Sequence, residues 1–318
     1  MVNNFSHFMG IDVSKDKIDI WSTEKSAHFT APNSRRKIRD ALYHFDREHT
    51  LVVLENTGGY ENVCIDTLQR IGYKIHRANN KKVKRFFEYR GGKAKTDKVD
   101  AKGLAYYGKV TYHNPCKSNH IDIYDKPSET QEKVRQLVFF SDNLKKIRAA
   151  MKNRIKSPNC KAVKNIAENV ANYISGQLKE LEKIIDDEMK DSELSEKCEL
   201  LTQYKGVGKT TAVQLAVLLP ELGKVANKNL ASLCGVAPHP HDSGKKQGPR
   251  RTGPDCRQNI KRVLFLAALS AVRYNKNLSN FHEKKLKEGK RRMVAITACM
   301  RKMLVQLNAI SKKGVMDF

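Results

Sequence analysis

Residues 8–13 read Phe-Met-Gly-Ile-Asp-Val, a short apolar segment interrupted by one acidic residue, Asp12. After a turn at residues 14–16, residues 17–21 alternate polar and apolar side chains with the period of two that is typical of a strand. Residues 27–30 fit a third strand of the same meander. The chain is therefore predicted to begin with a small sheet, and Asp12 is predicted to lie inside its first strand.

Alternating strand and helix patterns follow this meander. The apolar run at residues 51–54 suits a buried parallel strand, and residues 73–77 suit another. Helical patterns cover residues 34–48, 60–70 and 81–89. Three meander strands followed by alternating strands and helices are the element order of an α/β ribonuclease-H-like fold, which is the fold predicted for the N-terminal domain.

Four carboxylates fall at characteristic places in this domain. Asp12 lies in the first strand, and Glu55 directly follows the strand at residues 51–54, at the carboxyl edge where open α/β sheets place their sites. Asp97 and Asp100 would share one helix face if a helix began at Thr96, a good N-cap residue. If the two strands pair, Asp12 and Glu55 become neighbours, and the sequence predicts a cluster of four acids.

Such a cluster would repel itself without cations. Two hard divalent ions such as Mg²⁺, about 4 Å apart, would relieve the repulsion and clamp the attacking and leaving oxygens of a phosphodiester. The alternative interpretation is that each acid is a solvated surface group, which is the usual state of an aspartate. That interpretation is applied to three further aspartates, Asp16, Asp19 and Asp66.

The charge balance predicts a polyanionic partner. The chain carries 60 Lys and Arg against 34 Asp and Glu, a formal net charge of +26, which is far more than solubility requires. Basic residues with Phe86, Phe87 and Tyr89 between them are frequent in residues 74–102, beside the predicted acids. A basic, aromatic-bearing rim suits a nucleic-acid substrate, and a solvated helix face with core aromatics is the alternative.

Membrane and zinc sites are not expected. The sequence has no run of about twenty apolar residues, which a membrane-spanning helix requires, and no basic-then-apolar leader at its start. Its seven cysteines include no Cys-x-x-Cys pair, so a structural zinc site is not predicted. Scattered thiols of this kind fit a reducing cytosol.

The composition changes after residue 127, which suggests three domains: residues 1–127, 128–198 and 199–318. Residues 128–197 contain two long amphipathic patterns with a break at residues 157–159, which predicts a helical hairpin or coiled coil. This hairpin would space two domains and mediate dimerisation, or it would be a simple intrachain stalk. A mostly α C-terminal domain follows, with helical patterns at residues 228–234, 255–273, 278–287 and 291–311.

The C-terminal domain has a glycine-containing turn at Gly206, Val207 and Gly208, followed by Lys209. Between two helices this pattern is typical of a helix-hairpin-helix element, whose backbone contacts a phosphate. A plain turn at a helix end is the alternative. A P-loop is excluded because Gln203 stands where that motif requires glycine.

A short polar loop at residues 239–246, which reads His-Pro-His-Asp-Ser-Gly-Lys-Lys, contains a candidate nucleophile, Ser243. Glycines and prolines continue to residue 254, and this loop is predicted to lack regular structure. Basic residues in and after it are candidate nucleic-acid contacts, namely Lys245, Lys246, Arg250, Arg251, Arg257 and Lys261.

Four segments resemble the DEDD transposases of the insertion-sequence one-ten family and the related Piv DNA invertases. They are Gly10-Ile-Asp-Val-Ser-Lys15, Leu54-Glu-Asn-Thr-Gly-Gly-Tyr60, Lys95-Thr-Asp-Lys-Val-Asp-Ala101 and Gly235-Val-Ala-Pro-His-Pro-His-Asp-Ser-Gly-Lys-Lys246. The segments occur in the family's order with compatible spacing, and the resemblance covers nearly the whole chain. The last segment departs from many relatives, which have arginine where this chain has His239 and His241.

The resemblance implies a bacterial, cytoplasmic, nucleoid-associated enzyme of DNA recombination and transposition with a RuvC-like N-terminal domain. In such an enzyme Asp12, Glu55, Asp97 and Asp100 would bind Mg²⁺ or Mn²⁺. Ser243 would attack a DNA phosphodiester and form a phosphoserine link that a DNA hydroxyl later reverses. The implied partners are donor DNA, target DNA and a structured bridge RNA. The acids and Ser243 would meet within one subunit or across a homo-oligomer, a dimer or a tetramer.

Three alternatives to a transposase remain open at this stage. A Piv-like invertase would use the same chemistry without transposition. A RuvC-like junction nuclease would hydrolyse DNA with its metal-bound acids, and Ser243 would then be an ordinary turn residue. A nucleic-acid-binding protein without catalytic activity is the third.

Overall fold

The structure is a computed structural model that describes residues 4–91, 96–114, 123–124, 126–156, 160–190, 192–239, 242, 248, 250–253 and 256–313. The chain divides into two compact units, Met1–Lys126 and Pro127–Phe318. The first unit is α/β, and the second is almost entirely helical.

The first unit is built on a five-stranded mixed sheet. Its strands are β1 (His7–Val13), β2 (Lys17–Ser22), β3 (Ala27–Pro32), β4 (Thr50–Glu55) and β5 (Lys74–Ala78). The spatial order is β3-β2-β1-β4-β5. The first three strands form the predicted antiparallel meander, and β4 and β5 extend it in parallel with β1. This mixed sheet is compatible with the ribonuclease-H-like topology expected from the sequence.

Helices cover both faces of this sheet, and the strand period of two decides which residues face which helices. On one face, Met9 and Ile11 share a core with α1 (Arg35–Leu42) and α2 (Glu61–Arg70). On the other, Phe8 and Val53 share a core with α3 (Asn80–Tyr89) and α4 (Asp97–Tyr112). Residues at even positions of β1 therefore face α4.

Helix α1 is shorter than the sequence predicted. The prediction of a helix over residues 34–48 was wrong beyond Leu42, where α1 ends. The Asp46 carboxylate accepts hydrogen bonds from the backbone N–H groups of Glu48 and His49, at 3.0 and 3.3 Å. A side chain that caps the local backbone in this way favours a turn over further helix.

The second unit begins with the predicted pair of long helices, α5 (Glu129–Lys156) and α6 (Lys161–Met189), which pack along each other. The helices that follow in the described residues are α7 (Glu193–Thr202), α8 (Lys209–Leu218), α9 (Asn227–Leu233), α10 (Gln258–Tyr274), α11 (Lys276–Lys287) and α12 (Arg292–Lys313). Val134 and Val138 of α5 belong to the same hydrophobic core as Leu215 and Leu264. The base of the hairpin is thus part of the C-terminal core, and a separate domain at residues 128–198 stays a prediction.

Helix α12 contributes many apolar side chains to the hydrophobic core of this unit. Cys299, Met303 and Leu307 are fully buried in the core. Within the described residues, residues 292–312 also form the one helix long and apolar enough to cross a membrane by length and composition, and half of its most apolar stretch is buried inside the protein. The burial explains the composition.

Two predictions were wrong, one for the loop that contains Ser243 and one for the start of the helix that follows it. The loop is not without regular structure, because β6 (Pro238–His239) pairs antiparallel with β7 (Arg251–Thr252) at its base. Helix α10 begins at Gln258, not at residue 255. Arg257 keeps an extended backbone because its N–H donates to the carbonyl of Leu233 at 3.1 Å, which ties the helix start to α9.

Candidate active site

Asp12 and Glu55 lie side by side at the carboxyl ends of two paired strands. Strands β1 and β4 are parallel, with Ile11 opposite Leu54, and the two acids follow at the next position of each strand. Both are partly exposed and fall on the strand positions that face α4. The strand pairing on which the predicted cluster depended is therefore present.

Helix α4 begins as the sequence predicted. Thr96 is its N-cap, and the threonine Oγ1 accepts a hydrogen bond from the Val99 N–H at 3.3 Å. Asp97 and Asp100 occupy the first turn. Acidic groups are stabilised there by the unpaired N–H groups and the helix dipole.

Close packing at Gly10 brings this helix to the acids of the sheet. A Cβ atom at Gly10 would lie 2.0 Å from the carbonyl oxygen of Ala101 and 2.4 Å from the amide nitrogen of Ala105. Only glycine permits such an approach of strand and helix backbones. The glycine two residues before Asp12 therefore determines the distance between the acids of the sheet and those of α4.

The pKa of the Asp12 carboxyl group is raised by its burial and by this close approach of acidic side chains. Partial burial raises its pKa, and repulsion from Asp100, Asp97 and Asp19 raises it further. Each of these effects disfavours the ionised form. The pKa shift shows that carboxylates of α4 and of the sheet lie close enough to Asp12 to disfavour its ionised form.

Asp19 and Lys17 belong to this site, and the sequence interpretation missed both. Asp19 is buried, and its carboxylate accepts hydrogen bonds from Thr30 Oγ1 and pairs with His28 Nε2, each at 2.9 Å. Lys17 Nζ lies 3.0 Å from Asp19 Oδ2 and 2.6 Å from Asp97 Oδ2. The interpretation of Asp19 as a solvated surface group was therefore wrong. A signal was available, because the tight turn at residues 14–16 sets a hairpin register in which Asp12 faces Asp19.

Glu61 fixes the turn that follows Glu55, and it too was missed. Its buried carboxylate accepts hydrogen bonds from the Thr57 hydroxyl at 2.8 Å and the Gly59 N–H at 2.8 Å, and it pairs with Arg77 at 2.5 Å. Burial acts to raise the pKa of Glu61, but these partners outweigh burial and lower it. The turn after β4 is thus held by a buried ion pair beside the predicted ligand.

The donor chemistry at this edge fits a hard divalent cation. The candidate ligands Asp12, Glu55, Asp97 and Asp100 offer only carboxylate oxygens, the donors that Mg²⁺ and Mn²⁺ prefer. The mutual repulsion at Asp12 is of the kind that a cation relieves. Within the described ranges, no three His, Cys, Asp or Glu side chains are already gathered as metal ligands.

The candidate nucleophile Ser243 lies outside the described residues, as do Lys245 and Lys246. What the structure describes is the base of their loop. The Asp242 carboxylate accepts the Gly248 N–H at 3.1 Å, and Lys261 Nζ donates to the Thr252 hydroxyl at 3.1 Å. Lys261, a candidate nucleic-acid contact, therefore anchors β7 to α10.

The other candidate nucleic-acid contacts differ in their surroundings. The Arg257 guanidinium makes its hydrogen bonds within the protein, because it donates to both carboxylate oxygens of Glu221 and to the carbonyl of Leu218. Lys209 pairs with Asp186 at 2.7 Å. Arg250 is 3.5 Å from Asp242, and Arg251 is exposed on β7.

The two glycines of the predicted helix-hairpin-helix turn also differ in how closely the rest of the protein packs against them. Gly206 has a φ of +104°, and a Cβ there would lie 2.4 Å from the Ala271 Cα on α10. Gly208 is the N-cap of α8, and a Cβ there would meet nothing within 4 Å. The glycine at position 206 is thus required by packing within the protein, and only Gly208 is free to be approached by a ligand.

The first unit is an α/β domain with carboxylates at one sheet edge, and the family of the chain is named from its sequence. A DEDD transposase family model, described as "Transposase", matches residues 9–158, and a model described as "Transposase IS116/IS110/IS902 family" matches residues 198–283. The chain belongs to the IS110 family of transposases, which confirms the resemblance drawn from the four segments. It is an enzyme of DNA transposition or recombination.

Particular relatives within this class are proteins named for DNA inversion. The chain is 25% identical over 321 residues to the pilin gene-inverting protein of Moraxella lacunata, covering 96% of each chain. It is 24% identical over 322 residues to the protein of the same name from Moraxella bovis, again covering 96% of each. These alignments extend over both compact units.

Proposed function

We propose that this protein is a transposase that cuts and rejoins DNA through a covalent bond between Ser243 and a DNA phosphate. In this proposal the first unit is a RuvC-like, ribonuclease-H-like domain whose four acids hold Mg²⁺ or Mn²⁺. The second unit, with its helix-hairpin-helix turn, supplies the serine. The observation that carries the proposal is the placement of Asp12 beside Glu55, with the first turn of α4 brought to them through Gly10.

The proposed metal ligands are Asp12, Glu55, Asp97 and Asp100. A divalent ion there would neutralise the charge of a DNA phosphate and orient it for in-line displacement. The protein's own contribution is positional: the strand pairing sets Asp12 against Glu55, and the Glu61–Arg77 pair fixes the turn behind them. The repulsion felt by Asp12 supports this role, because ligands held close together before metal binding gain most from the cation.

The proposed covalent step exchanges one phosphodiester for another. The Ser243 Oγ forms a bond to phosphorus, the bond from phosphorus to one deoxyribose oxygen breaks, and the serine proton passes by way of a base to the departing oxygen. The departing DNA strand ends in a hydroxyl group. A DNA hydroxyl then attacks the phosphoserine, which rejoins the strands and restores the serine, so that no external energy source is needed.

Trapping the covalent intermediate tests this proposal. The full chain is incubated with Mg²⁺, the RNA from the flanks of the gene and DNA that carries the element ends, and protein–DNA adducts are resolved under denaturing conditions. The wild type should give an adduct, whereas Ser243→Ala should give none. An adduct that persists in Ser243→Ala would refute the serine assignment. Loss of the adduct in Asp12→Asn, or on chelation of the metal, would support the role of the acids.

A Piv-like invertase is a second candidate, because the pilin gene-inverting proteins align with 96% of the chain. Invertase and transposase share the covalent step and differ in the DNA they rejoin. A plasmid carrying the element ends distinguishes them: inversion of the intervening segment favours the invertase, and excision with insertion elsewhere favours the transposase.

A metal-dependent junction nuclease is the third candidate. It would need the acids but not Ser243. Free DNA ends that form equally well with Ser243→Ala would favour this candidate over both recombinases.

Guidance by a bridge RNA is part of the proposal and rests on the family resemblance and the net charge of +26. Binding of a structured RNA from the flanks of the gene, compared with a scrambled RNA of equal length, tests it directly. Selective, salt-resistant binding of the first RNA is expected, since charge alone would bind both equally.

The proposed oligomeric state and cellular location also rest on the family resemblance. We propose a homo-oligomer, dimer or tetramer, that acts on donor and target DNA in the bacterial cytoplasm, associated with the nucleoid. Mixing Asp12→Asn and Ser243→Ala subunits tests assembly: restored strand transfer would mean that acids and serine meet across subunits.

A further inference from the structure

We propose that Lys17 is a built-in counter-cation of the acidic site, which holds Asp97 in the absence of metal and competes with the divalent ion. The inference rests on the metal-binding role proposed above for the acids. The ion pair between Lys17 and Asp97 thereby raises the metal concentration at which Asp97 becomes available as a ligand.

The geometry at Lys17 carries this proposal. Its Nζ is 2.6 Å from Asp97 Oδ2 and 3.0 Å from Asp19 Oδ2, so one ammonium group bridges the sheet and the first turn of α4. Lys17 is the first residue of β2, and the contact to Asp97 joins residues 80 positions apart in sequence. The bridge therefore exists only because of the fold.

The bridged carboxylates are not equivalent. Asp19 is buried and has two further partners, Thr30 and His28, at 2.9 Å each. Asp97 is exposed at the start of α4, where an incoming ion can reach it. Asp19 therefore anchors the lysine, and Asp97 is the group that the lysine can release.

Another lysine of α4, Lys102, is differently engaged. Lys102 Nζ lies 4.6 Å from the centre of the Trp21 ring, in a cation–π contact. Lys17, in contrast, directly contacts the proposed metal ligand Asp97. A metal ion can coordinate Asp97 only after the ion pair between Lys17 and Asp97 breaks. Removal of Lys17 should therefore strengthen metal binding.

Titration of Mn²⁺ into the full chain, free of nucleic acid, tests this by calorimetry. Lys17→Met should bind Mn²⁺ about fivefold more tightly, since a unit charge a few ångströms from a divalent ion opposes its binding by this order even near water. Lys17→Arg keeps the charge and should bind as the wild type does. Lys37→Met is the matched control, because exposed Lys37 lies on α1, which packs on the opposite face of the sheet.

A second measurement does not depend on metal. In chelator, the thermal midpoint of Lys17→Met should fall below that of Lys37→Met, because the acids lose their counter-cation. Equal midpoints, or Mn²⁺ affinity in Lys17→Met that equals or falls below the wild-type value, would overturn the inference. If Lys17→Met fails to fold, Lys17→Gln, which removes the charge but keeps a polar side chain, is expected to shift affinity in the same direction.

Asp12→Asn separates this inference from the proposed function. If Asp12→Asn abolishes Mn²⁺ binding while Lys17→Met binds as the wild type does, the acids form the metal site and the role of Lys17 is wrong. If Asp12→Asn leaves binding unchanged, the proposed metal site itself is wrong, and the inference falls with it.

Discussion

Asp12 and Asp19 stand directly opposite each other on the antiparallel strands β1 and β2, yet the pKa values of the two carboxyl groups are shifted in opposite directions. Burial acts to raise both. At Asp19 the hydrogen bonds from Lys17, Thr30 and His28 outweigh burial, whereas at Asp12 the neighbouring carboxylates add to it. One acid of the pair is thus satisfied by the protein, and the other is left with excess negative charge around it.

Replacing Asp12 should stabilise the metal-free protein while it abolishes activity. Because the folded state raises the pKa of Asp12, the ionised group costs stability at neutral pH, and this cost disappears as pH falls through the raised pKa. Asp12→Asn should therefore raise the thermal midpoint at neutral pH in chelator, and it should lower DNA strand cleavage by at least about a hundredfold. Asp16→Asn, an exposed change of equal charge in the adjacent turn, should do neither. A lower midpoint for Asp12→Asn would contradict the electrostatic account.

The Glu61–Arg77 pair should contribute strongly to stability. Glu61→Gln should lower the free energy of unfolding by about 2–4 kcal/mol, because it leaves the Arg77 charge without its buried partner. Since the folded state lowers the pKa of Glu61, its contribution is present at neutral pH and is lost as pH falls through that lowered pKa. Urea unfolding at neutral and acidic pH measures this, and the difference between wild type and Glu61→Gln should shrink in acid. Exposed Glu48→Gln serves as the control and should unfold as the wild type does.

Gly10 and Gly176 should respond to alanine in opposite ways. At Gly10 the new Cβ would meet the α4 backbone, so Gly10→Ala should cost about 2–3 kcal/mol and push Asp97 and Asp100 away from Asp12. At the exposed Gly176 in α6 a Cβ meets nothing within 4 Å, and Gly176→Ala should stabilise by about 0.5–1 kcal/mol. Denaturant unfolding and a cleavage assay on both variants check this. A fully active, stable Gly10→Ala protein would show that α4 need not approach β1 so closely.

The two glycines of the turn before α8 separate a packing role from a DNA-binding role. Gly206→Ala should destabilise the second unit, because its φ is unfavourable for alanine and its Cβ would meet Ala271. Gly208→Ala should cost at most about 1 kcal/mol as an N-cap change. If the turn contacts a DNA phosphate, Gly208→Ala should weaken DNA binding at unchanged fold, measured by fluorescence anisotropy with duplex DNA. Unchanged DNA affinity would assign the turn to packing alone.

Much of the first unit could be predicted from sequence because its signals are local. The strands around residues 8–13 and 51–54 are short apolar runs, typical of strands that are buried on both faces, and Thr96 marks its helix start with its own side chain. The end of α1 was predicted too late, since a turn held by the Asp46 side chain interrupts an otherwise helical pattern. The short ladder of β6 and β7 was missed because its strands contain only two residues each, and a periodic pattern needs more.

The sequence by itself determined where Asp12, Glu55, Asp97 and Asp100 fall within their strands and helix, and to which family the chain belongs, because both depend on order along the chain. Only the tertiary structure decided which charges meet. The bridge from Lys17 to Asp97, the burial of Asp19 and the commitment of Arg257 to Glu221 join residues on different elements. Ion pairs of this kind depend on distances of a few ångströms, which are set by backbone packing such as that at Gly10 and not by local sequence.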